Sequence, residues 1–193
     1  MSTPPTQNLP PYQFEPRHPP DRFPLPYTPD PSASLPLPPD RSALVRDIVS
    51  LYAGNPSESA MRHYHENSIY DDPFSFCDTR YKIAGQWYGL PKAFKSLNPK
   101  AYEVVANEKD EIVFKLRQEY TFKLVNITKV VDSLITLKLD PGEEKPIIRY
   151  HKDQWDEKDY DHEGLGHVFK ELNGNHLPKV TEPPESLKGS GDA

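Results

Sequence analysis

The sequence predicts an α+β fold: a curved antiparallel sheet wrapped on N-terminal helices to make a cone-shaped barrel. Three observations predict it. Helical spacing of apolar residues is confined to residues 40–97, strand spacing runs from 102 to 155, and prolines crowd the stretch before both.

Fourteen of the 23 prolines fall within the first 39 of the 193 residues. Proline fixes φ and pushes the preceding residue out of the helical region, so residues 1–39 form an extended arm rather than helix or sheet. Tyr12, Phe14, Phe23, Leu25, Tyr27, Leu35 and Leu37 are spread along it. The arm is either a disordered tail or, from about Phe23 onward, a strap with its aromatics docked on the domain. Loose PxxP spacings are too common in such stretches to identify a ligand for proline-binding modules.

The domain itself is assigned to residues 40–175, and residues 176–193 to a polar, disordered tail. About 135 residues can bury roughly two-thirds of their unfolded surface, enough for a core without staples. Asp40 is the expected N-cap of a first helix, with Leu44, Val45, Ile48, Val49, Leu51 and Tyr52 on one face. Gly54 ends it, and Pro56 opens a second, shorter helix behind Asn55, with Met61 and Tyr64 turned inward. A short strand is expected within 69–76. A third helix spans 80–97, striped by Ile83, Trp87, Leu90, Phe94 and Leu97 and disturbed at Pro91.

Strands follow at 102–105, 114–122, 130–139 and 147–155. The second is the clearest. Phe114, Leu116, Gln118, Tyr120 and Phe122 alternate with Lys115, Arg117, Glu119, Thr121 and Lys123, which predicts one buried and one wet face. Residues 107–110 and Asp140-Pro141-Gly142 are turns. A short helix is expected at 164–172.

The net charge of −6 argues against nucleic acid as a partner, because phosphate recognition needs a basic face. The single cysteine, Cys77, excludes an internal disulfide framework. No apolar run approaches the ~20 residues of a membrane span, and the start lacks a secretory pattern, so a cytoplasmic location is the default expectation. Asn126-Ile127-Thr128 then reads as a chance sequon.

The candidate site lies on the last strand. In His151-x-Asp153-x-Trp155, alternate side chains point to one face. On a concave face they would place an imidazole, a carboxylate and an indole along one wall. A carboxylate in apolar surroundings can carry a proton, a neighbouring imidazole can orient it or exchange with it, and an indole offers a flat surface to a ring. The alternative is that His151 and Asp153 pair with each other or with Arg149 near the surface. Gln118 sits mid-strand on the apolar face and needs a partner, either a ligand or a core group such as His151. Tyr70, Tyr88 and Tyr120 are phenols that could polarise a carbonyl, or plain core aromatics, and Trp87 lies on the inner stripe of the third helix. Asp72 either faces a pocket or caps a turn before Pro73, and Asp71 shares that ambiguity. His63-x-His65, His151-x-Asp153 and His162-x4-His167 have no recognised metal spacing, so no metal and no cofactor are expected. No phosphate-cradling glycine loop or serine elbow is present.

The order of elements and two segments resemble the nuclear transport factor 2-like superfamily, in particular its SnoaL-like branch. One segment is Tyr70-Asp71-Asp72-Pro73-Phe74, similar to the aromatic-x-Asp-Pro stretch those proteins place after their second helix. The other is Tyr150-His151-Lys152-Asp153-Gln154-Trp155-Asp156, similar to a His-x-Asp with a following aromatic at the end of their last strand. The resemblance covers roughly residues 40–156. It implies a cystatin-like cone and a range of functions: dehydratases, isomerases, polyketide cyclases, epoxide hydrolases, and non-catalytic binding or dimerisation domains. Two readings follow. The first is a binding protein for a small apolar molecule, a dimerisation module, or both, with Trp155, Gln118, Tyr120, Tyr70, Asp72, Tyr88 and Trp87 as ligand-binding candidates. The second is a cofactor-free lyase, isomerase or cyclase with Asp153 and His151 as acid and base. A homodimer through the outer sheet face is expected, with Val131, Ile135 and Leu137 as contacts.

Overall fold

The computed structural model of the chain describes residues 22–73, 75–124, 127–155, 181–190 and 192. The arm before Arg22, the helix expected at 164–172, and His162 and His167 lie outside the described residues.

Among the described residues, three α-helices precede or interrupt one six-stranded sheet. Helix α1 is Pro39–Tyr52, α2 is Glu58–Met61 and α3 is Arg80–Ala93. The strands are β1 (Tyr64–Asp71), β2 (Phe76–Cys77), β3 (Phe94–Glu108), β4 (Glu111–Phe122), β5 (Thr128–Leu139) and β6 (Ile148–Trp155), in the order β2-β1-β6-β5-β4-β3. The run from β3 to β6 is the expected antiparallel meander. Strand β1 joins β6 in parallel, so the sheet is mixed.

Several boundaries move for local reasons. Pro39 takes the first position of α1, which suits a residue without an N–H, and Asp40 lies in the first turn rather than at the cap. The end of α1 is a Schellman motif. Gly54 has φ +76, its N–H bonds to Leu51 O, and Asn55 N–H bonds to Ser50 O. Helix α2 is capped by Ser57, whose hydroxyl accepts from Ala60 N–H at 3.1 Å, not by Asn55. Tyr64 has already left that helix and begins β1, five residues before the expected strand. Thr79 caps α3, and Pro91 sits in its last turn. The chain is extended again at Phe94, so Phe94 and Leu97 belong to β3. Strand β3 is an edge strand, which is why it tolerates Pro99 beside a register shift.

The inner sheet face packs on the helices. Leu44, Ile48, Leu51 and Tyr52 of α1, Ile83 and Trp87 of α3, Phe114 and Leu116 of β4, and Ile135 and Leu137 of β5 form one core. Val131 belongs to a second inner cluster with Phe94, Tyr120 and Trp155. The three residues expected as dimer contacts, Val131, Ile135 and Leu137, are therefore buried within the chain. The odd-numbered positions of this stretch of β5 face inward, and the period of two leaves Leu134 on the opposite face.

On that outer face Ala106, Val113 and Leu134 are covered by Phe23 and Tyr27 of the arm. Leu35 N–H bonds to Val104 O at 2.9 Å, and the Ser34 hydroxyl accepts from Val104 N–H at 3.0 Å. Thr28 Oγ1 donates to Asp132 at 2.7 Å, and Arg22 pairs with the buried Glu111 at 2.9 Å. Residues 22–38 are thus a strap over the sheet.

The expected disordered tail also gives way to packing over residues 181–190. Leu187 is fully buried in the main core, Thr181 Oγ1 donates to Gly85 O, and Arg80 Nε donates to Leu187 O. No helix among the described residues is long and apolar enough to cross a membrane.

Candidate functional site

Strand β6 lies between β1 and β5 and carries His151 and Asp153 on its inner face, opposite Leu137 and Ile135 of β5. His151 is 0% and Asp153 2% exposed. Neither pairs with Arg149, which lies on the other face with Asp140 at 2.6 Å and His65 at 2.7 Å. His151 instead stands among four aromatic rings. Tyr70 meets it edge-on at 4.9 Å between centroids, Tyr64 and Trp87 lie at 6.0 and 6.2 Å, and Tyr52 at 6.2 Å.

Helix α1 ends at this point, which brings Tyr52 into the cluster. Its hydroxyl donates to Asp153 Oδ2 at 2.9 Å and lies 3.3 Å from His151 Nε2. The Tyr64 hydroxyl lies 2.8 Å from His151 Nδ1. Gln118 does not reach His151. Its Nε2 donates to the Tyr52 carbonyl at 3.1 Å, satisfying one of the open carbonyls at the helix end. Among the described residues its buried Oε1 has no partner.

Burial sets the charges. It drives the His151 pKa down to about 3, so the ring is neutral. It lifts the Asp153 carboxyl to about 7, and the charge of Asp72 adds to the lift. Hydrogen bonding from Tyr52, then Trp155 and Ser133, opposes it. Among the described residues Oδ1 meets no donor at ordinary hydrogen-bond geometry, so Trp155 and Ser133 act on the carboxyl as weak donors. The phenols of Tyr52, Tyr70 and Tyr120 are held well above their ordinary range, chiefly by burial.

The remaining sequence candidates divide. Trp155 stacks on Tyr120 at 6.2 Å, and Phe94 meets Tyr120 at 5.2 Å, so these rings form an apolar wall next to Asp153. Trp87 packs edge-to-face on Tyr52 and Tyr70 at 4.8 and 5.5 Å. Asp72 caps the turn after β1: its Oδ1 accepts from Ser75 N–H at 2.5 Å and its Oδ2 from Tyr70 at 2.9 Å. Only its charge acts on Asp153. Asp71 pairs with Lys152 at 2.6 Å and accepts from Tyr150. Tyr88 is half-buried on α3, with Glu58 of α2 as its charged neighbour, and is not brought to His151. Sequence reasoning missed Tyr52, Tyr64 and Ser133 as members of the cluster. The available signal was a phenol closing each of two otherwise aliphatic inner faces.

Among the described residues no three His, Cys, Asp or Glu side chains converge as for a metal. Cys77 is buried, with its thiol pushed up to about 12. Neither of two surface clefts is lined by His151 or Asp153. One of about 520 Å³ is lined by Pro31, Ser34, Val49 and Tyr102, and one of about 290 Å³ by Arg62, Tyr64, His65 and Arg80, so the second touches the cluster at Tyr64.

No protein-family model matches the chain, and no curated protein matches it. Solved structures do. An NTF2-like protein from Anabaena variabilis superposes with a TM-score of 0.53 at 10% identity, over 63% of this chain and 94% of that one. A protein assigned as a polyketide cyclase from Xanthomonas campestris gives 0.52 at 11% identity, over 63% and 93%. A protein assigned as a SnoaL-like polyketide cyclase from Shewanella denitrificans gives 0.51 at 13% identity, over 63% and 93%. The chain has the nuclear transport factor 2-like fold, and SnoaL-like proteins are among its structural neighbours.

Proposed function

We propose that the end of the cone beside Asp153 binds a small, mostly apolar, ring-shaped molecule carrying one hydrogen-bond donor. One observation supports this above the others. Asp153 Oδ1 and Gln118 Oε1 are acceptors in residues at most 2% exposed, and among the described residues neither has a partner of ordinary geometry. Buried acceptors need donors, and leaving one unmet costs about 1–3 kcal/mol. A ligand hydroxyl or N–H would supply the donor, and the rings of Trp155, Tyr120 and Phe94 would supply the apolar wall. Trp155 and Tyr120 are each 7% exposed, so uptake requires these rings to swing aside.

The test is fluorescence titration with 2-naphthol, which has one O–H donor, against 2-methoxynaphthalene, which has none. Native mass spectrometry of protein purified without solvent extraction checks for a copurified molecule. Naphthol binding at least about tenfold tighter, the worth of one buried hydrogen bond, supports the reading. Equal or absent binding of both, with no copurified molecule, sinks it.

A second reading has its own observation. A carboxyl near 7 is part protonated and part ionised at neutral pH, as a general acid–base needs. On this reading the chain is a cofactor-free lyase, isomerase or cyclase. Turnover of an identified ligand that survives Asp153→Asn removes it.

A further inference from the structure

The hydrogen bonds around His151 run in one direction. The carboxylate of Asp153 has no proton to give, so the Tyr52 hydroxyl spends its only hydrogen on Oδ2, at 2.9 Å. Tyr52 Oη can then only accept from His151, 3.3 Å away, so Nε2 carries the imidazole hydrogen. The neutral ring therefore presents a bare Nδ1, which accepts from the Tyr64 hydroxyl at 2.8 Å. The chain of donors reads Tyr64 to His151 to Tyr52 to Asp153. Both ring nitrogens are occupied by phenols, and His151 reaches Asp153 only through Tyr52.

We infer that Asp153 exchanges its proton at Oδ1 alone, while the Tyr64–His151–Tyr52 chain holds Oδ2 as a fixed acceptor, making His151 a positioning residue rather than the acid or base. Protonation at Oδ2 would require the Tyr52 hydroxyl to turn towards Nε2. The imidazole hydrogen would then move to Nδ1, and the Tyr64 hydroxyl would lose its acceptor. Protonation at Oδ1 disturbs none of these bonds, because among the described residues that oxygen meets only the weak donors Trp155 and Ser133. This rests on reading Asp153 as the polar anchor of the site and deepens it: the atom left free for exchange is the one a ligand donor would meet.

Among the described residues, the groups facing Asp153 come from five elements and one turn. Tyr52 is on α1, Tyr70 on β1, Asp72 follows β1, Tyr120 is on β4, Ser133 on β5 and Trp155 on β6. Asp72 is the charged one, and it holds the Asp153 proton more tightly without touching the His151 chain. Its own oxygens are engaged by Ser75 and Tyr70.

The experiment is ¹⁵N NMR of the imidazoles and ¹³C NMR of the Asp carboxyls, on full-length protein without ligand, from pH 5 to 9. The expected result is a neutral His151 in the Nε2–H form throughout, while the Asp153 carboxyl titrates. Tyr52→Phe is expected to raise the Asp153 midpoint by about one to two pH units, since it removes a donor to a charged oxygen. It should also release His151 into a mixture of forms. Tyr64→Phe should move the Asp153 midpoint far less. An Nδ1–H form in the wild type, or a switch of form that follows the Asp153 titration, overturns the inference. So does a Tyr52→Phe protein with an unmoved midpoint. Should that variant fail to fold, the wild-type imidazole form decides by itself. Naphthol binding is read by fluorescence in a separate experiment, so failure there leaves this result standing, and the reverse.

Discussion

Replacing Asp153 with Asn should stabilise the protein at alkaline pH, because the native fold holds an ionised carboxylate where it is disfavoured. The carboxyl is lifted from an ordinary 3.8 to about 7. Below about pH 4 it is protonated in both the folded and unfolded chain. Between about 4 and 7 only the folded chain keeps the proton, so stability falls as pH rises through that window and levels off above it. At about 1.4 kcal/mol for each pH unit of displacement, the full loss is about 4 kcal/mol. Asn keeps an acceptor for Tyr52 and cannot ionise, so it lacks this loss. The assay is urea unfolding of both proteins from pH 4 to 8.5, with the stability difference plotted against pH. The other titrating groups are common to both chains and largely cancel. The difference, variant minus wild type, should rise by about 4 kcal/mol between pH 4 and 8 and then stay flat. A difference that is constant across the range would refute the claim that Asp153 is buried and charged at the site.

Three further predictions concern the frame that holds the site. Leu187→Ala should cost about 2–4 kcal/mol by urea unfolding, since a fully buried core leucine is lost; a change under about 0.5 kcal/mol would mean that residues 181–190 do not pack on α3. Gly54→Ala should cost about 1–3 kcal/mol, mainly from φ +76, because the Leu97 Cδ1 only 2.7 Å from the added Cβ is a flexible side-chain end that can yield; a neutral change in thermal midpoint would remove the Schellman end of α1. Phe23→Ala with Tyr27→Ala should lower stability by about 1–2 kcal/mol per site, the low end because both rings are half-buried, and should raise binding of an anilinonaphthalene dye; unchanged dye binding would place the strap elsewhere.

What could be read from the sequence depended on whether the information was local. The alternation in β4 survives in the structure because its two faces meet different media. The same parity puts His151, Asp153 and Trp155 on one face of β6. Gln118 stood out as a polar residue in an apolar register, but its partner did not, because the Tyr52 carbonyl is 66 residues away. Tyr52 and His151 are 99 apart, and no spacing rule joins a helix end to a strand at that distance. The early start of β1 is hidden in the sequence because His65, Glu66, Asn67 and Ser68 make its first half polar; pairing with β6 across a bulge overrides that composition. Leu187 is a single apolar residue in a polar stretch, and only tertiary packing reveals its role.

The composition boundary near residue 40 is not the boundary of the folded unit. Proline suits a strap on the outer face: it cannot extend the ladder, yet it keeps the chain extended while interspersed residues make the contacts. Leu35 gives its N–H to Val104, and Phe23 and Tyr27 give their rings. The firmest sign is Glu111. Its carboxylate is 1% exposed on β4, a placement that requires paired cations, and it has Lys138 at 2.5 Å and Arg22 at 2.9 Å. Lys138 comes from the neighbouring strand, but Arg22 comes from the arm. The sheet thus contains a buried charge whose full compensation depends on the strap being in place. A second copy approaching this face would have to displace both rings and leave Glu111 one cation short. Loss of Arg22 alone, with the rings intact, should therefore weaken the outer face more than an exposed ion pair would.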